Sequence, residues 1–218
     1  MFRPMKAKAG RANASAPRRR PQQSRAQHTS RALQEAFVQL LAERDYARIS
    51  IREIVSVAGT GLGSFYQYFA SKDDLARVCL HLRSKALLAA MHEAGQQHAG
   101  RPLAEIAAAI VEALADAHRG HPPQWGAHYL LERHLSSADA YRKMYERFVD
   151  GWAQAFAAAS DPLPPERLRD AARVSHTLLY GLCAHSFIGT GGQLDLAQLA
   201  GQSRDAVQAC VERIRCPT

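Results

Sequence analysis

The chain has 218 residues, 47% of them apolar, and a net charge of +8. That length allows one large or two small domains with a sizeable buried core. No run approaches 18 consecutive apolar residues, and no apolar stretch follows the basic start, so neither a membrane span nor a secretory signal is expected, and the expected location is the cytoplasm.

The positive excess is concentrated at one end. Residues 1–34 hold nine Lys or Arg and no Asp or Glu, which leaves the rest of the chain near neutral. Residues 1–27 lack apolar periodicity and are expected to form a flexible basic arm that attracts polyanions, nucleic acid first among them. A first helix is expected from an N-cap at Thr29 or Ser30 to about Glu43, with Leu33, Ala36, Phe37, Leu40 and Leu41 on its apolar face. Ser50 and Glu53 fit a capping box opening a second helix, which ends where Gly59 suits a left-handed cap. A very short helix follows over about Leu62–Phe69. Ser71 opens the next, with Asp73 and Asp74 in its first turn, and Leu75, Val78, Leu82 and Leu88 carry it to about Glu93.

Further on, Pro102 opens a helix bearing Leu103, Ile106, Ala107, Ile110 and Leu114, which Gly120–Pro123 breaks. Another helix is expected from Gln124 to about Leu135. Tyr141, Met144, Tyr145, Phe148, Trp152 and Phe156 form the next helical stripe, and Asp161–Pro165 is a break. The helix Pro165–Ile188 is apolar nearly all round in its second half. A turn at Gly189–Gly192 precedes a last helix, Leu196–Ile214. No segment alternates with period 2, so the fold class is all-α with about nine helices.

Two short helices joined by a tight glycine turn, between Ser50 and Leu75, have the layout of a helix-turn-helix whose second helix enters the major groove. Phe65 and Phe69 are four apart and should anchor inward. Ser64 and Gln67 point the other way, where Gln67 can pair bidentately with adenine. Gly63 would let the backbone approach DNA closely. The Tyr66, Tyr68 and Lys72 side chains can reach phosphates. Leu62 either closes the small core or touches a thymine methyl.

The run Ala58–Phe69, with Ser71, Lys72 and Leu75, resembles the signature of the TetR family of bacterial transcriptional regulators. Ala36, Phe37, Tyr46, Ser50, Ile51 and Ile54 fall in the same register, so the resemblance covers roughly residues 29–80. The chain departs from the pattern at Thr60, where a hydrophobic residue is usual, at Gly61, where serine is usual, and at Asp45, where glycine is common. The resemblance implies an N-terminal three-helix DNA-binding domain over 28–75, with a connecting helix from about 71. It also implies a C-terminal ligand-binding and dimerisation domain over 76–218. The DNA contacts expected are Ser50, Arg52, Thr60, Gly61, Leu62, Gly63, Ser64, Tyr66, Gln67, Tyr68 and Lys72. The expected partners are a pseudo-palindromic double-stranded operator, a small-molecule effector and a second copy of the chain, with no membrane. Leu178, Leu179, Gly181, Leu182, Cys183 and Ala184 independently leave little polar face on the helix Pro165–Ile188, so either a partner helix packs there or the helix is central in the monomer.

For an effector, Trp125, His128, Tyr129, Tyr145, Phe148, Trp152 and Tyr180 offer aromatic walls with polar tips, suited to an apolar, uncharged or cationic molecule. The same stripe is equally a core stripe. No cofactor, metal site or catalytic centre is expected. Cys79, Cys183, Cys210 and Cys216 form no C-x-x-C pair. His118 with His121, and Cys183 with His185, lack the further ligands zinc needs, and no nucleophile elbow or phosphate loop is present. Two other readings stay open. One is a helical ligand carrier or enzyme with an accidental motif; the other is a non-specific nucleic-acid binder driven by the arm. Deleting residues 1–27 separates the last, because a sequence reader keeps its preference without its arm.

Overall fold

The structure is a computed structural model that describes residues 19–119, 122–190 and 194–215. Among these residues it is all helical: α1 (Arg19–Glu43), α2 (Ile51–Val57), α3 (Leu62–Tyr68), α4 (Lys72–Gln97), α5 (Leu103–His118), α6 (Pro122–Leu135), α7 (Ala138–Ala157), α8 (Pro165–Gly189) and α9 (Leu196–Arg215). A 3-10 turn, Tyr46–Arg48, lies between α1 and α2. No helix among the described residues is long and apolar enough to cross a membrane. His121, Cys216, most of the arm (1–18) and most of the expected turn after Gly189 lie outside the described residues.

Two apolar clusters organise the chain. The first gathers Leu33, Phe37, Leu41, Ile54, Phe65 and Leu75 from α1 to α4, all at most 6% exposed. The second gathers α4 to α9 around Ile106, Ile110, Trp152, Phe156 and Val207, all fully buried. Helix α4 runs through both, with Leu75, Ala76 and Cys79 in the first and Leu88, Met91 and Ala94 in the second. Helix α6 also belongs to both, because Leu131 is buried in the first cluster while Trp125 and Tyr129 are buried in the second. Behind α4, α8 packs against α6, α7 and α9, and α5 packs against α4 and α9.

The helix boundaries differ from expectation mainly at the front. Helix α1 starts at Arg19, inside the segment expected to be a flexible arm, and Thr29 and Ser30 are interior residues rather than caps. Thr29 instead donates its hydroxyl to the Arg25 carbonyl one turn back, at 3.1 Å. Once the buried face from Leu33 nucleates the helix, extending it backwards adds one hydrogen bond per residue fixed. Residue 21 is proline, but it falls in the first turn, where a missing N–H loses no bond. Leu82 is a second difference. It was expected on the apolar face of α4, yet it is 44% exposed, because the buried face drifts around the helix to Cys79, Leu80 and Ser84.

Candidate nucleic-acid interface and ligand pocket

Helix α2 begins as its sequence demands. The Ser50 hydroxyl accepts from the Glu53 N–H, and the Glu53 carboxylate accepts from the Ser50 N–H at 2.8 Å, completing the capping box. Arg44, at the end of α1, bridges to Glu53 at 2.8 Å and ties α1 to this corner. After α2 the chain turns through Gly59, whose φ of +65° is the left-handed conformation that glycine adopts without a Cβ penalty. Gly61 caps α3 with no side-chain bond, the direct consequence of the missing serine.

Helix α3 has one buried side and one open side. Phe65 and Phe69 are 0% and 4% exposed and pack ring to ring at 5.7 Å. Facing out are Leu62, Gly63, Tyr66 and Gln67, with Tyr66 60% exposed. Leu62, at 41% exposure, does not close the small core. A Cβ added at Gly63 would meet nothing within 4 Å, so the backbone there is open to an approaching groove wall. Ser64, Tyr68 and Thr60 are half-buried at the flanks, and Arg52 is exposed on α2. One short helix therefore presents a flat outward surface with a glutamine and a tyrosine, and two phenylalanines root it in the core.

Lys72, one of the expected phosphate contacts, is tied into the fold. Its ammonium donates to the carbonyls of Tyr46, at 2.8 Å, and Ile49, at 2.7 Å, and lies 4.2 Å above the Tyr46 ring. Burial, opposed by the Asp73 and Glu53 charges, lowers its pKa. The Tyr46 hydroxyl in turn donates to the Asp73 carboxylate. The Tyr46 carbonyl already accepts the Ile49 N–H within the 3-10 turn, and the lysine at the start of α4 adds a second donor to it and a donor to the Ile49 carbonyl just after the turn. The start of α4 is thereby fixed to the front of α2, and with it the orientation of α3.

A pocket opens among α4, α5, α6, α7 and α8. Six of the seven expected effector residues line it: Trp125, His128, Tyr129, Tyr145, Phe148 and Tyr180. Trp152 does not. It is fully buried one turn beyond Phe148, against Phe156 at 5.3 Å, where the packing of α8 across α7 places it in the core rather than at the opening. The structure adds His118, Glu132, Tyr141 and His176 to the walls. His118 has both ring nitrogens engaged: Nδ1 is 2.5 Å from the Leu114 carbonyl and Nε2 is 3.0 Å from the Tyr129 hydroxyl. The tautomer that fits donates from Nδ1 and accepts at Nε2. His176 lies flat against Phe148, with centroids 4.9 Å apart. Burial pushes both imidazoles down to about 4, so they are neutral at pH 7. The Glu132 carboxylate accepts from the Tyr180 hydroxyl at 2.9 Å, and burial raises its pKa. Glu132 was legible in principle, four residues after His128 and three after Tyr129 on one helical face.

Behind the Trp125 wall, the Arg83 guanidinium of α4 stacks on the indole at 4.0 Å. Helix α6 places Trp125, His128, Tyr129 and Glu132 on the pocket while burying Leu131 against the helix-turn-helix core. One packed element thus joins the pocket wall to the helix-turn-helix core. Cys79 and Cys183 are buried thiols, and burial pushes both up to about 12.

Comparison with known proteins matches this architecture. Residues 34–79 match the model of the tetR family of bacterial regulatory proteins, and residues 102–210 match that of the tetracyclin repressor-like C-terminal domain. A TetR transcriptional regulator from Rhodococcus sp. RHA1 is 19% identical, with a TM-score of 0.55, and the alignment covers 87% of this chain and 97% of that one. FadR from Bacillus subtilis, solved in complex with stearoyl-CoA, is 15% identical with a TM-score of 0.64, covering 82% and 97% of the two chains. A regulator from Aquifex aeolicus VF5 is 19% identical with a TM-score of 0.61, covering 83% and 98%. These likenesses show a shared fold, and the family matches, which reach from the helix-turn-helix to α9, show that the chain is a DNA-binding regulator belonging to the tetR family of bacterial regulatory proteins.

Proposed function

We propose that this regulator is a repressor that leaves its operator when a small, largely apolar molecule occupies the pocket between α4 and α8. The observation that carries the reading is the double membership of α6, whose pocket residues alternate with Leu131 in the helix-turn-helix core. The unit that reads DNA is α3, with Gln67 at base edges and Tyr66, Tyr68, Ser64 and Arg52 toward the backbone. Helix α4 spans about 39 Å at 1.5 Å per residue. A small tilt at its pocket end therefore becomes a misplacement of α3 at the groove.

The working unit is a homodimer through α8 and α9, reading a pseudo-palindrome whose half-sites lie about 34–36 Å apart. The half-buried Leu178, Gly181 and Leu182, with Val174 at 37% exposure, support that interface. At Gly181 an added Cβ would meet nothing within the chain. Its place of action would be the cytoplasm, where operator DNA lies. The effector must bind the DNA-free form more tightly, and a coupling of about 1–3 kcal/mol changes operator affinity about 5- to 150-fold. The stearoyl-CoA of the Bacillus subtilis relative carries phosphates. No Lys or Arg lines this pocket, which supports an uncharged or cationic effector here. Selection of bound DNA from a random pool tests the reading. It should return a two-fold symmetric sequence; a single asymmetric site bound by a monomer refutes the dimeric repressor.

A further inference from the structure

The pocket is electrically lopsided. Of the side chains lining it, Glu132 is the one that carries a formal charge at neutral pH, since its histidines are held neutral by burial. Its neighbours are phenols. Tyr180 donates to the carboxylate at 2.9 Å, and Tyr141 stands edge-on to Tyr180 with centroids 6.2 Å apart. Glu132, Tyr141, Tyr145 and Tyr180 also line a depression on the outside of the molecule, so this end is the mouth. The opposite end is closed by His118 and Trp125, with the Arg83 guanidinium beyond the indole.

We propose that the mouth is the seat of a cationic head group, an ammonium or similar monocation, held between the Glu132 carboxylate and the Tyr141, Tyr145 and Tyr180 rings. The ligand's apolar body runs inward along the wall formed by the stacked Phe148 and His176 toward Trp125. A carboxylate drawn away from water, with only the exposed Arg133 acting on it and no basic side chain lining the pocket, is unfavourable, and a cation of the right size supplies what the pocket lacks. Phenol faces add cation–π attraction. The basic groups nearest the mouth, Arg133 and Arg142, are exposed and screened by solvent. Arg83 makes the inner end unfavourable for a cation, which fixes the ligand's direction. This inference rests on the pocket being the effector site.

A proton is linked to the binding. Burial raises the Glu132 pKa, so the empty pocket holds a fraction of that side chain neutral as the pH falls. A cation needs the carboxylate, so its affinity rises with pH and its binding releases protons. The groups facing Glu132 are Arg133 on its own helix, Tyr141, Arg142 and Tyr145 on α7, and Tyr180 on α8. Deeper in the pocket lie His118, His128, Tyr129, His176 and Cys183. None of these histidines is charged at pH 7, and the Tyr129 and Tyr180 hydroxyls and the Cys183 thiol, raised by burial, stay protonated.

The test uses the full chain without DNA and three small probes: phenyltrimethylammonium, whose charge does not titrate; tert-butylbenzene, its neutral isostere; and benzoate. Calorimetry should show the cation binding most tightly, with affinity increasing from pH 5 to pH 7 while that of tert-butylbenzene stays flat. Glu132→Gln should cost the cation about tenfold or more and leave tert-butylbenzene unchanged. The pH series on the unaltered protein carries the test if the variant does not fold. Equal or tighter binding of either other probe, a flat pH profile for the cation, or no binding of any probe at millimolar concentration overturns the proposal. A neutral or anionic compound that fills the pocket and releases DNA would overturn it and leave the effector reading standing. A pocket-bound cation without effect on operator affinity would do the reverse.

Discussion

Lys72 separates two accounts of the same residue. As a phosphate contact, its loss should leave the free protein untouched and flatten the salt dependence of DNA binding by about one unit of log-log slope. The structure gives it internal work instead, through two bonds from a charged donor to the Tyr46 and Ile49 carbonyls and a place over the Tyr46 ring. Hydrogen bonds to charged groups contribute about 1.5–3 kcal/mol each when well shielded. Lys72 is only half-buried, so water replaces part of that, and about 2 kcal/mol in total is the expected loss. Lys72→Met keeps the aliphatic stem and isolates the ammonium. For a chain of this size about 2 kcal/mol corresponds to a fall of about 4–8 °C in Tm, if unfolding is a single transition. Calorimetry reads the stability, and operator binding across a salt series reads the slope. An unchanged Tm together with a slope reduced by one would refute the anchoring role and restore the phosphate contact.

Other consequences concern reading, packing and acid. Gln67→Ala should change the ranked base preference at one operator position, with about 1–3 kcal/mol of discrimination at stake, whereas Tyr68→Phe should weaken all sequences alike; competition binding against single-base operator variants decides. Gly126→Ala would place a Cβ 2.6 Å from the Phe187 carbonyl oxygen, a backbone atom that cannot move alone, so α6 and α8 must part. The expected cost is about 1–3 kcal/mol in urea unfolding. Gly181→Ala meets nothing within the chain, so it should spare subunit packing but weaken self-association in sedimentation; unchanged association would place the interface elsewhere. Acid should destabilise the fold through His118 and His176. Their folded values near 4 lie below the ordinary 6.5, so on acidification the unfolded chain takes up protons first. Stability is full above about pH 6.5 and falls as the pH drops toward 4, and His176→Phe should shrink the difference in urea midpoint between pH 7 and pH 5.

Much of this architecture is legible in the residues. Ser50 and Glu53 announce a helix start by chemistry that is local in sequence, and the spacing of Phe65 and Phe69 fixes which side of α3 is buried. The start of α1 is not legible in the same way, because helix propagation into Arg- and Gln-rich sequence depends on a nucleus elsewhere. The pocket is half legible. Periodicity places Phe148 and Trp152 on one stripe, and only the packing of α8 across α7 decides that Phe148 faces the opening and Trp152 the core. The role of Lys72 is hidden for another reason. Its acceptors, the Tyr46 and Ile49 carbonyls, are 26 and 23 residues away, and nothing in a lysine's identity says whether it meets a carbonyl or a phosphate.

The most direct test of coupling between pocket and DNA is a reciprocal titration. A compound shown to bind among α4 to α8 is titrated into the protein–operator complex, and its own affinity is then measured with and without operator. The account predicts that saturating compound lowers operator affinity about 5- to 150-fold and that operator lowers the compound's affinity by the same factor. Compounds that fill the pocket with equal affinity in both states, without exception, would contradict it and leave a regulator whose DNA binding the pocket does not govern.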